Sequence, residues 1–128
     1  MKYFSHEKGR IHGIITARGG SKGIPGKNIK LLCGKPLLFY VSQAALKSNC
    51  FEKIYLSTDS QEIANYGRKL GLHVPFLRPI KLATDRTKSI EVILHTIKKL
   101  KLEGSICLMQ PTSPLVSTED IKNAAFKI

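Results

Sequence analysis

Residues 11–28 read IHGIITARGGSKGIPGKN. The opening run, Ile11 to Ala17, is short, apolar and rich in β-branched residues, the pattern of a buried strand. From Arg18 to about Lys30 the composition changes to glycine and lysine, so the strand is expected to feed a loop. Glycines let backbone N–H groups approach an anion closely, and Arg18, Lys22 and Lys27 supply charge to hold a polyphosphate. The loop is not a Walker A sequence, because Ser21 and Asn28 stand where Gly and Ser/Thr would be needed. Nor is it the dinucleotide fingerprint, since the glycines run from Gly20 through Gly23 to Gly26 at every third residue.

Working outward, elements of two kinds alternate. Pro36 opens a helix expected to reach about Ser48, with proline in its tolerated first-turn place. Lys53 to Thr58 reads as a second strand. Asp59 and Glu62 resemble a capping box for a helix that runs to Leu70 and stops at Gly71. Val74 to Leu77 reads as a brief third strand. Ile90, Ile93, Leu94, Ile97 and Leu100 share one helical face, the expected buried one. Residues 106–109 form a fourth strand, and residues 117–120 cap a last helix. Such alternation implies an α/β domain with a mainly parallel sheet and helices on its faces. Ligands of such sheets bind beyond the carboxyl ends of the strands. Those ends carry Arg18-Gly19-Gly20, Ser57-Thr58-Asp59, Arg78-Pro79 and Gln110-Pro111-Thr112-Ser113, all polar or turn-forming.

The whole chain has 128 residues, 21 Lys+Arg against 9 Asp+Glu and a net charge of +12. That length fits one domain, here residues 11–128 behind a short N-terminal extension, 1–10. The charge favours anionic partners. No helix-turn-helix, zinc-finger or RNP-type pattern accompanies it, and no aromatic residues interleave with the basic ones, so nucleic acid is not the expected partner. No apolar run reaches the roughly 18–20 residues of a membrane span, and residues 1–10 lack an apolar signal core. Cys33, Cys50 and Cys107 are odd in number and fit neither a disulfide framework nor CxxC metal spacing, which points to a reducing cytoplasm.

ARGGSKGIPGKN at 17–28, GKPLL at 34–38, STDSQEIA at 57–64, RPIKLATD at 78–85 and LMQPTSPL at 108–115 together resemble the acylneuraminate cytidylyltransferases and their legionaminic and pseudaminic acid relatives. The likeness covers about residues 11 to 128. It implies the three-layer α/β/α, Rossmann-like nucleotide-diphospho-sugar transferase fold, with CTP and a nine-carbon 2-keto sugar acid of the sialic type as substrates. CMP-sugar and pyrophosphate would be the products, with Mg2+ as cofactor. By that resemblance Arg18 and Lys27 are the catalytic candidates, neutralising phosphate charge, with Lys27 stabilising the transition state. Ala17, Gly19, Gly20, Ser21, Lys22 and Asn28 would complete the nucleotide loop. Arg78 and Ser89 would read the cytosine, and Gln110, Thr112 and Ser113 would lie toward the sugar acid.

Family members are longer. Their second half supplies the carboxylates for magnesium, part of the sugar-acid pocket and a segment exchanged across a homodimer, so this chain, without its own metal ligands, is expected to be a truncated form or else to take the missing half from another chain. Loss of later elements would leave a sheet edge and apolar surface uncovered. Two other readings compete. One is a cytidylyltransferase for another sugar acid, such as 3-deoxy-manno-octulosonate, against which the GGSKG positions speak. The other is a non-catalytic basic module binding nucleotide or nucleic acid, supported by net charge alone. Asp59 is expected as a helix cap. Asp85 would cap the next helix or hold the Arg78 segment. His12 is expected to be structural and His95 non-catalytic.

Overall fold

The computed structural model describes residues 11–19, 31–32 and 34–111. Strand β1 (Ile11–Thr16) leads to a two-residue antiparallel ladder of β2 (Leu31–Leu32) and β3 (Lys35–Pro36). Then follow α1 (Leu37–Ser48), β4 (Lys53–Ser57), α2 (Gln61–Leu70), a 3-10 turn at Ile80–Leu82, α3 (Ser89–Leu100) and β5 (Ser105–Met109). The main sheet has the order β4-β1-β5 and is wholly parallel. The parallel sheet flanked by helices expected from the alternation, and the Rossmann-like α/β fold implied by the resemblance, are observed.

Register explains the layers. Ile54, Gly13 and Cys107 lie side by side across the sheet, as do Leu56, Ile15 and Met109. These rows face a core completed by Leu38, Val41, Ala44 and Ala45 of α1 and by Ile63 and Ala64 of α2. Side chains alternate along a strand, so Tyr55, Ile14 and Leu108 occupy the opposite face, where α3 packs against β1. Gly67 lets α2 come close, since a Cβ there would stand 2.3 Å from Leu56 Cδ2.

Four expectations need correction. Pro36 does not sit in the first turn of α1; it ends β3 and precedes the helix with extended backbone. The helix-capping residue of α2 is Ser60, whose Oγ accepts the Ile63 N–H at 3.2 Å. Asp59 is turned away toward β1. The expected strand Val74–Leu77 does not form; a single bridge precedes it at His73, which donates its N–H to the Ile54 carbonyl and accepts from Leu56 N–H, both at 2.9 Å. Pro75, two residues on, has no N–H to extend that ladder. Finally, α3 buries Val92 and Thr96, while Ile90 and Leu94 are 55% and 57% exposed. Thr96 tolerates burial because its hydroxyl donates to the Val92 carbonyl at 2.9 Å. Ile93, Ile97 and Leu100 flank that ridge half-buried.

β5 pairs with β1 alone among the described residues. Leu77 and Ile80 are also exposed. The expected helix after residue 117 lies outside the described residues.

Candidate active site

The site is assembled at the carboxyl ends of β1, β4 and β5. Pairing continues one residue past β1, with Ala17 N–H donating to the Ser57 carbonyl at 3.0 Å. Ala17 is buried, so what it offers the site is backbone. Gly19 N–H then donates to Asp59 Oδ1 at 2.8 Å. A Cβ on Gly19 would fall 2.9 Å from Ser60 Cβ, so the chain leaving β1 runs tight against the start of α2. Glycine is needed there for space.

Arg18 reaches across to the segment before α3, where its Nη2 lies 2.6 Å from Asp85 Oδ1. The turn presenting Asp85 is closed by Thr84 and Thr87, whose hydroxyls are 2.9 Å apart. Asp85 therefore neither caps α3 nor touches the Arg78 guanidinium through any hydrogen bond of the described residues.

Arg78 is only 5% exposed. Its N–H donates to the Thr58 carbonyl at 2.7 Å, Nη2 to the Ser57 carbonyl at 3.1 Å and Nη1 to the Leu82 carbonyl at 2.9 Å. One side chain thus ties the exit of β4 to the 3-10 turn. Its Nε is buried without a hydrogen-bond partner among the described residues. Burial pushes the Arg78 guanidinium below the usual arginine value; Asp59 partly offsets this and Arg18 adds to it. A guanidinium still stays protonated in a protein, so Arg78 keeps its charge beside that of Asp59 and of Arg18, which is itself paired with Asp85.

Ser89 and Gln110, expected at the base and at the sugar acid, are brought together: Gln110 Nε2 donates to Ser89 Oγ at 3.0 Å. Both are exposed. Gly20, Ser21, Lys22, Lys27, Asn28, Thr112 and Ser113 lie outside the described residues. His12 is buried, with Nε2 2.9 Å from the Glu103 carbonyl oxygen at the far, amino end of the sheet, which agrees with a structural role. His95 packs edge-on against Phe76 at 5.3 Å. The Arg18–Asp85 contact has no local sequence signal, because it joins segments that only the fold brings together. Among the described residues no group of three or more His, Cys, Asp or Glu side chains could hold a metal ion. No helix of the described residues is long and apolar enough to cross a membrane.

Residues 12–128 match the family model described as Cytidylyltransferase. The chain belongs to the cytidylyltransferase family. It is 44% identical over 119 residues to the CMP-N,N'-diacetyllegionaminic acid synthase of Legionella pneumophila, covering 90% of this chain and 51% of that protein. It is 42% identical over 115 residues to the N-acylneuraminate cytidylyltransferase of Escherichia coli, covering 90% of this chain and 27% of that one. In structure this cytidylyltransferase chain resembles a CMP:2-keto-3-deoxy-manno-octonic acid synthetase solved with CTP. That match has a TM-score of 0.74 at 20% identity, over 89% of this chain and 45% of that one, and bears on the fold alone. The chain spans about half the length of the legionaminic acid synthase, and less of the Escherichia coli enzyme.

Proposed function

We propose that this chain provides the nucleotide-binding part of a cytidylyltransferase that transfers CMP from CTP to a nine-carbon 2-keto sugar acid of the N-acylneuraminate type. The observation that carries this reading is the gathering of Arg18, the Gly19 N–H, Arg78, Ser89 and Gln110 at one end of one parallel sheet. The names of the relatives supply the sugar-acid class.

In the reaction, the anomeric hydroxyl oxygen attacks the α-phosphorus. A new P–O bond forms, the hydroxyl proton is released to solvent, the bond to the β-phosphate oxygen breaks, and pyrophosphate leaves with that electron pair. The protein's task is to neutralise the triphosphate and hold the partners in line. Arg18 and Lys27 provide charge, with Lys27 at the transition state. Ala17, Gly19, Gly20, Ser21, Lys22 and Asn28 are assigned to the nucleotide. Arg78 has five N–H donors, of which two go to carbonyls, so donors remain for a base carbonyl oxygen. Ser89 completes base recognition. Gln110, Thr112 and Ser113 are assigned to the sugar acid. Magnesium belongs to the proposal through the family; among the described residues no three or more His, Cys, Asp or Glu side chains gather, and no step is drawn through the ion.

Thermal unfolding of the chain alone, with magnesium-CTP and with magnesium-ATP tests the reading. Nucleotide at ~100 times its dissociation constant stabilises by about 2.7 kcal/mol, several degrees for a domain of this size. CTP should raise the transition and ATP should not. Equal shifts from both would overturn cytosine recognition. Pyrophosphate release across N-acylneuraminate-type acids and 3-deoxy-manno-octulosonate then assigns the acceptor.

A further inference from the structure

The Arg18–Asp85 pair sits where a phosphate is expected. Carboxylate and phosphate oxygens compete for the same guanidinium donors. The pair lies at the rim, with side chains 28% and 48% exposed, within reach of an incoming anion. The turn that presents Asp85 is held firmly. Thr84 N–H donates to Thr87 Oγ1 at 3.1 Å, and Arg86 N–H donates to Thr84 Oγ1 at 3.2 Å. Upstream, Arg78 fixes the Leu82 carbonyl. Downstream, Lys88 N–H donates to Glu91 Oε1 at 2.8 Å in the first turn of α3. Gly19 N–H, the adjoining anion donor, likewise meets a protein carboxylate, that of Asp59.

We infer that Asp85 is an internal stand-in for the nucleotide's phosphate: it holds the Arg18 guanidinium beyond the carboxyl end of β1 while no nucleotide is bound, and yields it to the triphosphate. The inference rests on the nucleotide reading above. Asp85 is a positioning residue that acts through Arg18, and it lowers affinity for CTP by competing with it.

The test is CTP binding by calorimetry to the full chain, its D85N, D85S and R18Q variants and the R18Q/D85N pair, at low and high salt. D85N should tighten binding about two- to fivefold at low salt, the range of an exposed ion pair. The gain should shrink as salt rises, and D85S should reproduce it. In the R18Q background D85N should change nothing. A gain that persists without Arg18 would be the plain field of a removed negative charge and would overturn the inference. So would D85N and D85S variants that bind CTP no better than the parent chain. A parent chain that does not bind CTP sinks the functional reading and this inference together, a result distinct from either of those.

Discussion

Gln110 Nε2 donates to Ser89 Oγ at 3.0 Å, joining the exit of β5 to the first turn of α3. The bond links a residue expected at the nucleotide base with one expected at the sugar acid. Both side chains are exposed, so S89A and Q110A should each change stability by less than ~0.5 kcal/mol. If the pair acts as a unit in the site, their effects on CTP binding will not add. A double-mutant cycle read by calorimetry checks this, with a coupling of about 0.5 kcal/mol or more expected. Additive losses would separate the two residues functionally.

Arg78 is a different case, because its buried guanidinium bridges the Ser57 and Leu82 carbonyls. Its loss leaves both carbonyls in place with the bridging donors gone. R78A should destabilise the fold by about 2–4 kcal/mol, combining charged hydrogen bonds with lost packing. R78K should recover little, since an ammonium cannot reproduce the fork. Denaturant unfolding measures both. An R78A variant as stable as the parent would show that the bridge does not hold the 3-10 turn.

The start of α2 separates two neighbouring residues that sequence reasoning confused. S60A should cost about 1 kcal/mol by removing the cap on Ile63 N–H. D59A should leave that cap intact and free the Gly19 N–H instead. The expected signature is a stability loss in S60A with CTP binding retained, and altered CTP binding in D59A. Both Asp and Ser are good caps, so only the backbone entry angle, which sequence does not display, decides between them.

That case shows what the sequence made legible. Strands β1, β4 and β5 and the three helices were readable because their apolar residues recur at strand or helix periods and because Gly71 and the flanking polar residues mark the ends. The rotation of α3 was not readable. Ile90 and Leu94 are as apolar as the residues that are buried, and Thr96 conceals its suitability for the core in a hydroxyl that bonds its own helix. The two-residue β2–β3 ladder and the His73 bridge are too short for periodicity to register. In the site, Arg18 and Arg78 stood out by charge at strand ends, whereas the carboxylates that meet Arg18 and Gly19 came from segments distant in sequence.

The rotation of α3 is directly testable. V92A should cost about 1–3 kcal/mol, as a truncation in a packed core. I90K and L94K should stay within ~0.5 kcal/mol of the parent while lowering self-association at high concentration. Chemical denaturation and light scattering read the two effects. A large stability loss in L94K would restore the face that periodicity suggested.

His95 gives the pH dependence. Burial lowers its pKa from the usual 6.5, and Lys99, Arg78 and Lys81 lower it further. The folded state thus favours neutral imidazole, while the unfolded chain takes up a proton near the ordinary value. Between the depressed folded pKa and 6.5 the unfolded state binds more protons, so stability rises with pH there. The contribution is fully present above 6.5 and is lost as pH falls through the folded value. H95Q cannot titrate, so its stability should fall less steeply between pH 6.5 and the acid range than that of the parent. Denaturant midpoints across that window decide the matter. Parallel curves would assign the acid sensitivity to other groups.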